Sequence, residues 1–146
     1  MRIAATGRRI KVKRKQRFGP AAEGMGPRVL RHLVPELHDP ASGRLDARRI
    51  SAVFGLPLSG VARIVGRELS TVHKTPDAVS LQPRLAIFER IAAPLRSLAG
   101  SLENLRIWLN APNPELEGET PLALLKTGEG EVVAELLEDT LAGQPS

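Results

Sequence analysis

Apolar residues recur at helical spacing from residue 27 to residue 143, and glycines and prolines separate the resulting segments. No segment alternates apolar and polar residues with the period of a β-strand over more than a few positions. The pattern therefore predicts an all-α fold.

Two helices are predicted before residue 58. The first begins near Pro27, and Pro35 is expected to kink it or to end it early. The second begins after Asp46, a good N-cap, and ends at Gly55, which can adopt the left-handed conformation of a helix C-cap. The apolar stripe of the first helix consists of Leu30, Leu33, Val34 and Leu37.

The segment LSGVARIVGRELSTVHK, residues 58–74, has the spacing of a helix-turn-helix. In that motif a small residue, here Ala62, lets two helices cross closely. A glycine, here Gly66, takes the positive φ of the turn, and an aliphatic residue, here Val72, anchors the second helix.

Side chains near the start of this second helix are the candidates for contact with DNA. Pro76 limits the helix to about two turns. Ser and Thr can contact phosphates or base edges, and His and Lys can donate hydrogen bonds to guanine or phosphate in the major groove. The candidates are Ser70, Thr71, His73 and Lys74, together with Arg67, which stands where an aliphatic residue is usual. Simpler alternatives remain open: Ser70 as a helix N-cap, His73 as an idle surface residue and Lys74 as a C-terminal cap.

The longest amphipathic segment spans residues 81–99, with Pro83 in its first turn and Pro94 at an expected kink. Its apolar stripe is assigned to the core, and part of it could pack a second copy of the chain. Ser101 is predicted to cap the next helix, which carries Trp108. The stretch NAPNPELEG that follows is predicted to be a loop.

Two further helices are predicted near the C-terminus. Thr120 is an N-cap with Pro121 at the first helical position, and Gly128 ends this helix. The last helix begins at Gly130 and ends at Gly143. Its inner face consists of Val133, Leu136, Leu137 and Leu141, and its acidic outer face of Glu131, Glu135 and Glu138.

Charge is distributed unevenly along the 146 residues. Residues 1–17 hold eight Lys or Arg and no acid, residues 18–100 eleven basic and seven acidic residues, and residues 101–146 two basic and nine acidic residues. Such asymmetry indicates a polyanion partner at the N-terminal end and a different partner at the other. The alternative is a solubilising basic tail and a solvated acidic helix face.

Several function classes are disfavoured by composition. The chain has no cysteine, which excludes disulfides and thiolate metal sites, and no apolar run approaches the roughly 18 residues needed to span a membrane. His32, His38 and His73 lie far apart without an evident carboxylate or nucleophile arrangement, and GEGE follows a predicted helix and not a strand. We therefore expect no enzymatic activity, no catalytic residue, no cofactor and no metal.

The stretch WLNAPNPELEGETPLALLKTGEGEVVAELL, residues 108–137, resembles the toxin-binding domain of Xre/MbcA/ParS antitoxins. That domain combines a Trp-Leu helix, a Pro-Asn loop, a Gly-x-Thr-Pro-Leu-x-Leu-Leu turn and a final Gly-x-x-x-Val helix. Glu117 departs from the pattern, because the family often has a second glycine there. The matching residues are Trp108, Leu109, Pro112, Asn113, Leu116, Gly118, Thr120, Pro121, Leu122, Leu125, Gly128, Gly130 and Val133.

The resemblance implies a domain organisation. The family carries an Xre-type helix-turn-helix in its N-terminal half, and residues 45–98 lie where it should be. We therefore expect a basic, flexible tail at residues 1–26, an Xre-like helix-turn-helix and dimerisation region at residues 27–99, and a small helical toxin-binding domain at residues 100–146.

The resemblance also implies a function: the antitoxin of a type II toxin–antitoxin system, in the bacterial cytoplasm. Its partners would be a RES-domain toxin that consumes NAD, whose active site it covers, and the operator DNA of its own operon, which it represses. Family members commonly form homodimers and larger complexes with the toxin.

Toxin-binding residues are expected in the loop and helices of residues 110–146, namely Asn110, Asn113, Glu131, Glu135 and Glu138. A structural role in the domain is expected for Trp108, Gly118, Thr120, Pro121, Leu125 and Gly128. Trp108 is interpreted as a core residue in preference to an anchor in the toxin. The alternative function is a stand-alone helix-turn-helix transcriptional regulator with a C-terminal protein-interaction domain.

Overall fold

The computed structural model describes residues 33–143, which form seven α-helices and no β-strand within that range. The predicted all-α fold is thus confirmed for these residues. The predicted tail at residues 1–26 and the start of the first predicted helix lie outside the described residues. The helices are α1 (Ala47–Phe54), α2 (Leu58–Val65), α3 (Leu69–Lys74), α4 (Gln82–Ala99), α5 (Leu105–Leu109), α6 (Pro121–Lys126) and α7 (Gly130–Ala142). Three 3-10 turns, Pro35–Leu37, Val79–Leu81 and Pro114–Leu116, lie between them or before α1.

The ends of α1 follow the sequence prediction. The Asp46 carboxylate accepts hydrogen bonds from the backbone N–H groups of Arg48 and Arg49 at 2.8 and 3.1 Å. These are two of the donors that the first turn of a helix leaves unsatisfied. Gly55 ends the helix with φ of 72°, in the left-handed region where a Cβ is disfavoured.

The segment before α1 differs from its prediction. Leu33 and Val34 are not helical, since Val34 is extended and a 3-10 turn begins at Pro35. The Val34 N–H donates to the Glu89 carboxylate of α4 at 2.7 Å, and the Arg96 guanidinium donates to the Leu33 carbonyl at 2.6 Å. Side chains of α4 thus take the backbone groups that a helix would have paired internally, so the prediction of helix over Leu33 and Val34 was wrong.

A single apolar core runs through the described residues, and α4 contributes more buried residues to it than any other helix. Helix α4 packs against α7, and α7 packs against α6, while α2 contacts α1 and α3. Phe54 of α1 meets Phe88 of α4 edge to face, with ring centroids 5.1 Å apart. The core thus crosses residue 99, where the sequence suggests a domain boundary, and the boundary itself remains a prediction.

Helix α5 is shorter than predicted. It begins at Leu105, with Asn104 at its N-cap position, so Ser101 does not cap it. The Ser101 hydroxyl instead accepts from the Glu103 N–H at 3.2 Å in the turn before the helix. Helix α4, by contrast, has its predicted extent and continues through Pro94, which is buried.

Candidate functional site

The geometry of α2, the following turn and α3 agrees with the predicted helix-turn-helix spacing. Ala62 is buried, Gly66 has φ of 71°, and Val72 is fully buried. The Arg84 guanidinium of α4 donates to the Val65 carbonyl at 3.0 Å and lies 3.3 Å from where a Cβ on Gly66 would stand. Arg84 of α4 therefore stabilises the turn, and there is little room for a side chain at Gly66.

Helix α3 presents the predicted DNA-contacting residues to solvent. Ser70, Thr71, His73 and Lys74 are all exposed. Glu68 occupies the N-cap position and Ser70 lies within the helix, so the interpretation of Ser70 as a cap was wrong.

Two arginines lie close to α3. Arg67 is half-buried, and its guanidinium donates to the Gly66 carbonyl at 3.3 Å. Arg48 of α1 donates to the His73 carbonyl at 3.3 Å, which supports the exposed end of α3. A DNA-contacting role for the five candidates stays a prediction.

Two of the three predicted toxin-binding acids are bound within the chain. Arg90 of α4 donates to both Glu131 oxygens at 2.6 and 2.7 Å, and its Nε and Nη2 donate to Glu138 at 3.0 Å each. A guanidinium bridging two carboxylates fixes α7 against α4 more firmly than a single exposed pair could. The third acid, Glu135, is half-buried and also interacts with other groups.

The charge of Arg90 is constant over the working pH range. Its hydrogen bonds to Glu138 raise the pKa of the guanidinium above its ordinary value, burial opposes this, and Glu131 adds to the increase. A raised pKa means that the charged form is stabilised at every pH below it. Deprotonation of Arg90 therefore does not break its ion pairs with Glu131 and Glu138 in this pH range. Only a substitution of Arg90 removes the positive charge.

The two predicted toxin-binding asparagines shape the backbone. The Asn110 amide donates to the Arg106 carbonyl at 2.8 Å at the C-terminal end of α5. The Asn113 side chain accepts from the Glu115 N–H at 2.8 Å and begins the 3-10 turn. Both therefore have a structural role in the loop, and toxin contact by either stays a prediction.

The residues predicted to have a structural role in the domain show the capping, backbone conformation and burial that are typical of their residue types. Thr120 accepts from the Ala123 N–H at 3.0 Å, and Gly118 and Gly128 have φ of 85° and 87°. Pro121 and Leu125 are buried, while Trp108 is partly buried against the core.

Glu117 adopts the left-handed conformation with φ of 58°, and it is the only residue other than glycine that does so between residues 33 and 143. This position is the one where the resembling family often has a glycine. The left-handed region costs an L-residue about 1–2 kcal/mol, which accounts physically for that preference.

Two residues of α5 were not anticipated. The Arg106 guanidinium reaches the C-terminal end of α1, where it donates to the Ala52 carbonyl and, at 3.3 Å, to the Val53 carbonyl. No local pattern indicates a contact over more than fifty residues. Ile107 is 69% exposed, and its helical position opposite Leu105 and Leu109 is a signal that could have revealed this.

The described residues contain no group of three His, Cys, Asp or Glu arranged to hold a metal ion. Over the same range, no helix is both long enough and apolar enough to cross a bilayer.

The comparison with family models gives a match in the C-terminal part of the chain. Residues 95–142 match the model of the antitoxin Xre/MbcA/ParS C-terminal toxin-binding domain, beginning within α4 and ending at the last residue of α7. The comparisons with curated proteins and with solved structures give no match. The protein therefore carries an antitoxin-type toxin-binding domain at residues 95–142, which supports an antitoxin role with a toxin as its protein partner.

Proposed function

We propose that the protein is the antitoxin of a type II toxin–antitoxin system, that it covers the active site of a RES-domain toxin that consumes NAD, and that it represses its own operon. The observation that carries the proposal is the family match over α5, α6 and α7. The RES class of the toxin rests on the resemblance of residues 108–137 alone.

Co-expression with the neighbouring gene tests the toxin part of the proposal. Induction of the neighbour alone should arrest growth and deplete cellular NAD, and induction of both genes should restore growth and yield a stable complex. A complex without NAD depletion would contradict a RES-type toxin. Two proteins that purify separately would contradict the antitoxin role and favour a stand-alone regulator.

The acidic face of α7 is the proposed toxin contact, since charges on an interface select a partner of opposite sign. Because Glu131 and Glu138 also bind Arg90, reversing them alone would remove internal ion pairs as well as surface charge. A loss of binding by such a variant would therefore not distinguish misfolding from a lost contact.

A charge-swap variant separates these effects. The combination of Arg90→Glu with Glu131→Arg and Glu138→Arg keeps opposite charges facing each other while it inverts the outer face. We expect thermal stability close to that of the wild type and a loss of toxin affinity of at least tenfold at low salt. Unchanged affinity and unchanged salt dependence would show that Glu131 and Glu138 do not contact the toxin. Their ion pairs with Arg90 would then have only a structural role.

DNA binding is the third part of the proposal, and the exposure of α3 supports it. Replacing both His73 and Lys74 by Ala should weaken binding to the DNA upstream of the gene, because two possible donors to base edges or phosphates are lost. Ser97→Ala, at an exposed position of α4, is the matched control. If the double variant bound this DNA as tightly as Ser97→Ala does, α3 would not be the helix that contacts the DNA.

A further inference from the structure

Helix α5 buries one side and exposes an aliphatic side chain on the other. Leu105 and Leu109 are fully buried, whereas Ile107 is 69% exposed. Asn104 and Ala111, three residues before and four residues after Ile107, are also exposed. Asn104 and Ala111 lie just outside the two ends of α5, and we call these three exposed positions the Ile107 face.

The position of this face in the molecule distinguishes it from other exposed apolar residues. Scattered exposed aliphatic residues are common and need no explanation. Four large apolar side chains are exposed among residues 33–143, namely Leu33, Leu69, Val79 and Ile107. Of these, only Ile107 lies within the segment that matches the toxin-binding domain.

Exposed acidic residues precede and follow α5 in the chain. Glu103 and Glu115, on either side of α5 in the chain, are exposed, and within residues 33–143 neither takes part in an ion pair. The one basic residue of α5, Arg106, is exposed and keeps its charge, and its guanidinium is directed to the carbonyls at the end of α1. An apolar centre with an acidic margin is complementary to an apolar pocket bordered by basic side chains.

The Ile107 face is more available to a partner than the acids of α7, because two of those acids are already ion-paired. Glu131 and Glu138 already bind Arg90, so a partner would have to compete for them or share them. Ile107 contributes less to the apolar core than its neighbours Leu105 and Leu109, and a partner can cover it without breaking an internal contact of that kind.

We propose that the Ile107 face is the apolar centre of the toxin interface. In the complex, Ile107 enters an apolar pocket of the toxin that is bordered by basic residues. This inference rests on the proposed antitoxin function. It adds to that function an anchoring residue outside the acidic face of α7.

The test compares two aliphatic residues of nearly equal exposure in the full chain. Ile107→Lys places a cation at the centre of the face, and Val79→Lys places one at a residue that is 68% exposed outside the matched segment. Binding of each variant to the purified product of the neighbouring gene is measured by calorimetry, and melting temperatures check that both are folded. We expect Ile107→Lys to weaken binding at least tenfold and Val79→Lys to change it less than twofold.

Milder substitutions keep the result interpretable. Ile107→Ala should weaken binding severalfold without adding charge, and Glu103→Lys should weaken it at low salt but less at high salt, since screening removes exposed charge effects. Wild-type affinity for Ile107→Lys would overturn the inference and leave the antitoxin function standing. Equal losses for Ile107→Lys and Val79→Lys would also overturn it, because the effect would then come from added charge. Absence of binding by the wild-type chain would refute the function and the inference together.

Discussion

Helices α3 and α6 have the same length, six residues, and opposite relations to the solvent. Within α3 only Val72 is buried, and the other five side chains are exposed. Within α6 Pro121, Leu124 and Leu125 are buried and only Lys126 is exposed. The comparison shows that a two-turn helix can serve either to present side chains or to hold a domain together, depending on how many residues it buries.

The two helices also begin differently. Thr120 caps α6 through its hydroxyl, and Pro121 takes the first helical position. The Glu68 side chain at the start of α3 makes no capping hydrogen bond. Because six residues are too few to form a stable helix alone, α3 depends on Val72, the α2 turn and the Arg48 contact, whereas α6 has both local and core stabilisation.

The largest effect is expected from α6. Leu125→Ala removes a side chain that is 1% exposed, and loss of a buried Leu with the resulting cavity costs about 3 kcal/mol of unfolding free energy. At about 2–4 °C per kcal/mol for a chain of this size, the melting temperature should fall by roughly 6–12 °C. A thermal melt followed by circular dichroism measures it.

Leu122→Ala is the matched control within α6, since Leu122 is only partly buried. It should cost clearly less than Leu125→Ala. Equal costs for the two variants would mean that α6 is not held mainly by its buried side.

A smaller loss of stability with a specific loss of function is expected from α3. Val72→Ala removes two buried methyl groups, worth about 2 kcal/mol. Because Val72 is the single buried side chain of α3, the helix should lose its position and binding to the upstream DNA should fall severalfold, while toxin affinity is kept.

Urea unfolding measures the stability of the Val72→Ala protein, and a gel-shift assay measures its DNA binding. Thr71→Ala, at an exposed position beside it, should leave stability within about 0.5 kcal/mol of the wild type. If Val72→Ala lost toxin binding as strongly as DNA binding, α3 would not be an independently placed reading helix.

Sequence patterns predicted local features well and long-range contacts poorly. The caps at Asp46 and Thr120 and the left-handed turn at Gly66 depend on neighbours within a few residues, and all three are confirmed. The links from Arg90 to α7 and from Arg106 to α1 join residues more than forty positions apart. An arginine in an amphipathic helix gives no local sign of the carboxylate or carbonyl that it will meet.

The candidate site shows the same division between local and long-range information. The family resemblance located the domain that the family model matches, and an acidic face on α7 followed from helical spacing. That two of its three acids are ion-paired with Arg90 could not be predicted. The helix predicted over Leu33 and Val34 failed for a related reason, since Glu89 and Arg96 of α4 bind that backbone from a distance.

The smallest effect tests the difference between the two helix starts. Thr120→Ala removes the hydroxyl that accepts from the Ala123 N–H and should cost about 1 kcal/mol, the usual value of an N-cap. Glu68→Ala removes a side chain that makes no capping bond and should change stability by less than about 0.5 kcal/mol. Chemical unfolding of the two variants beside the wild type measures both values, and Thr120→Ser, which retains a capping hydroxyl, should recover most of the loss. A cost for Glu68→Ala equal to that of Thr120→Ala would show that the start of α3 is also locally stabilised. The contrast between α3 and α6 would then depend only on how many side chains each helix buries.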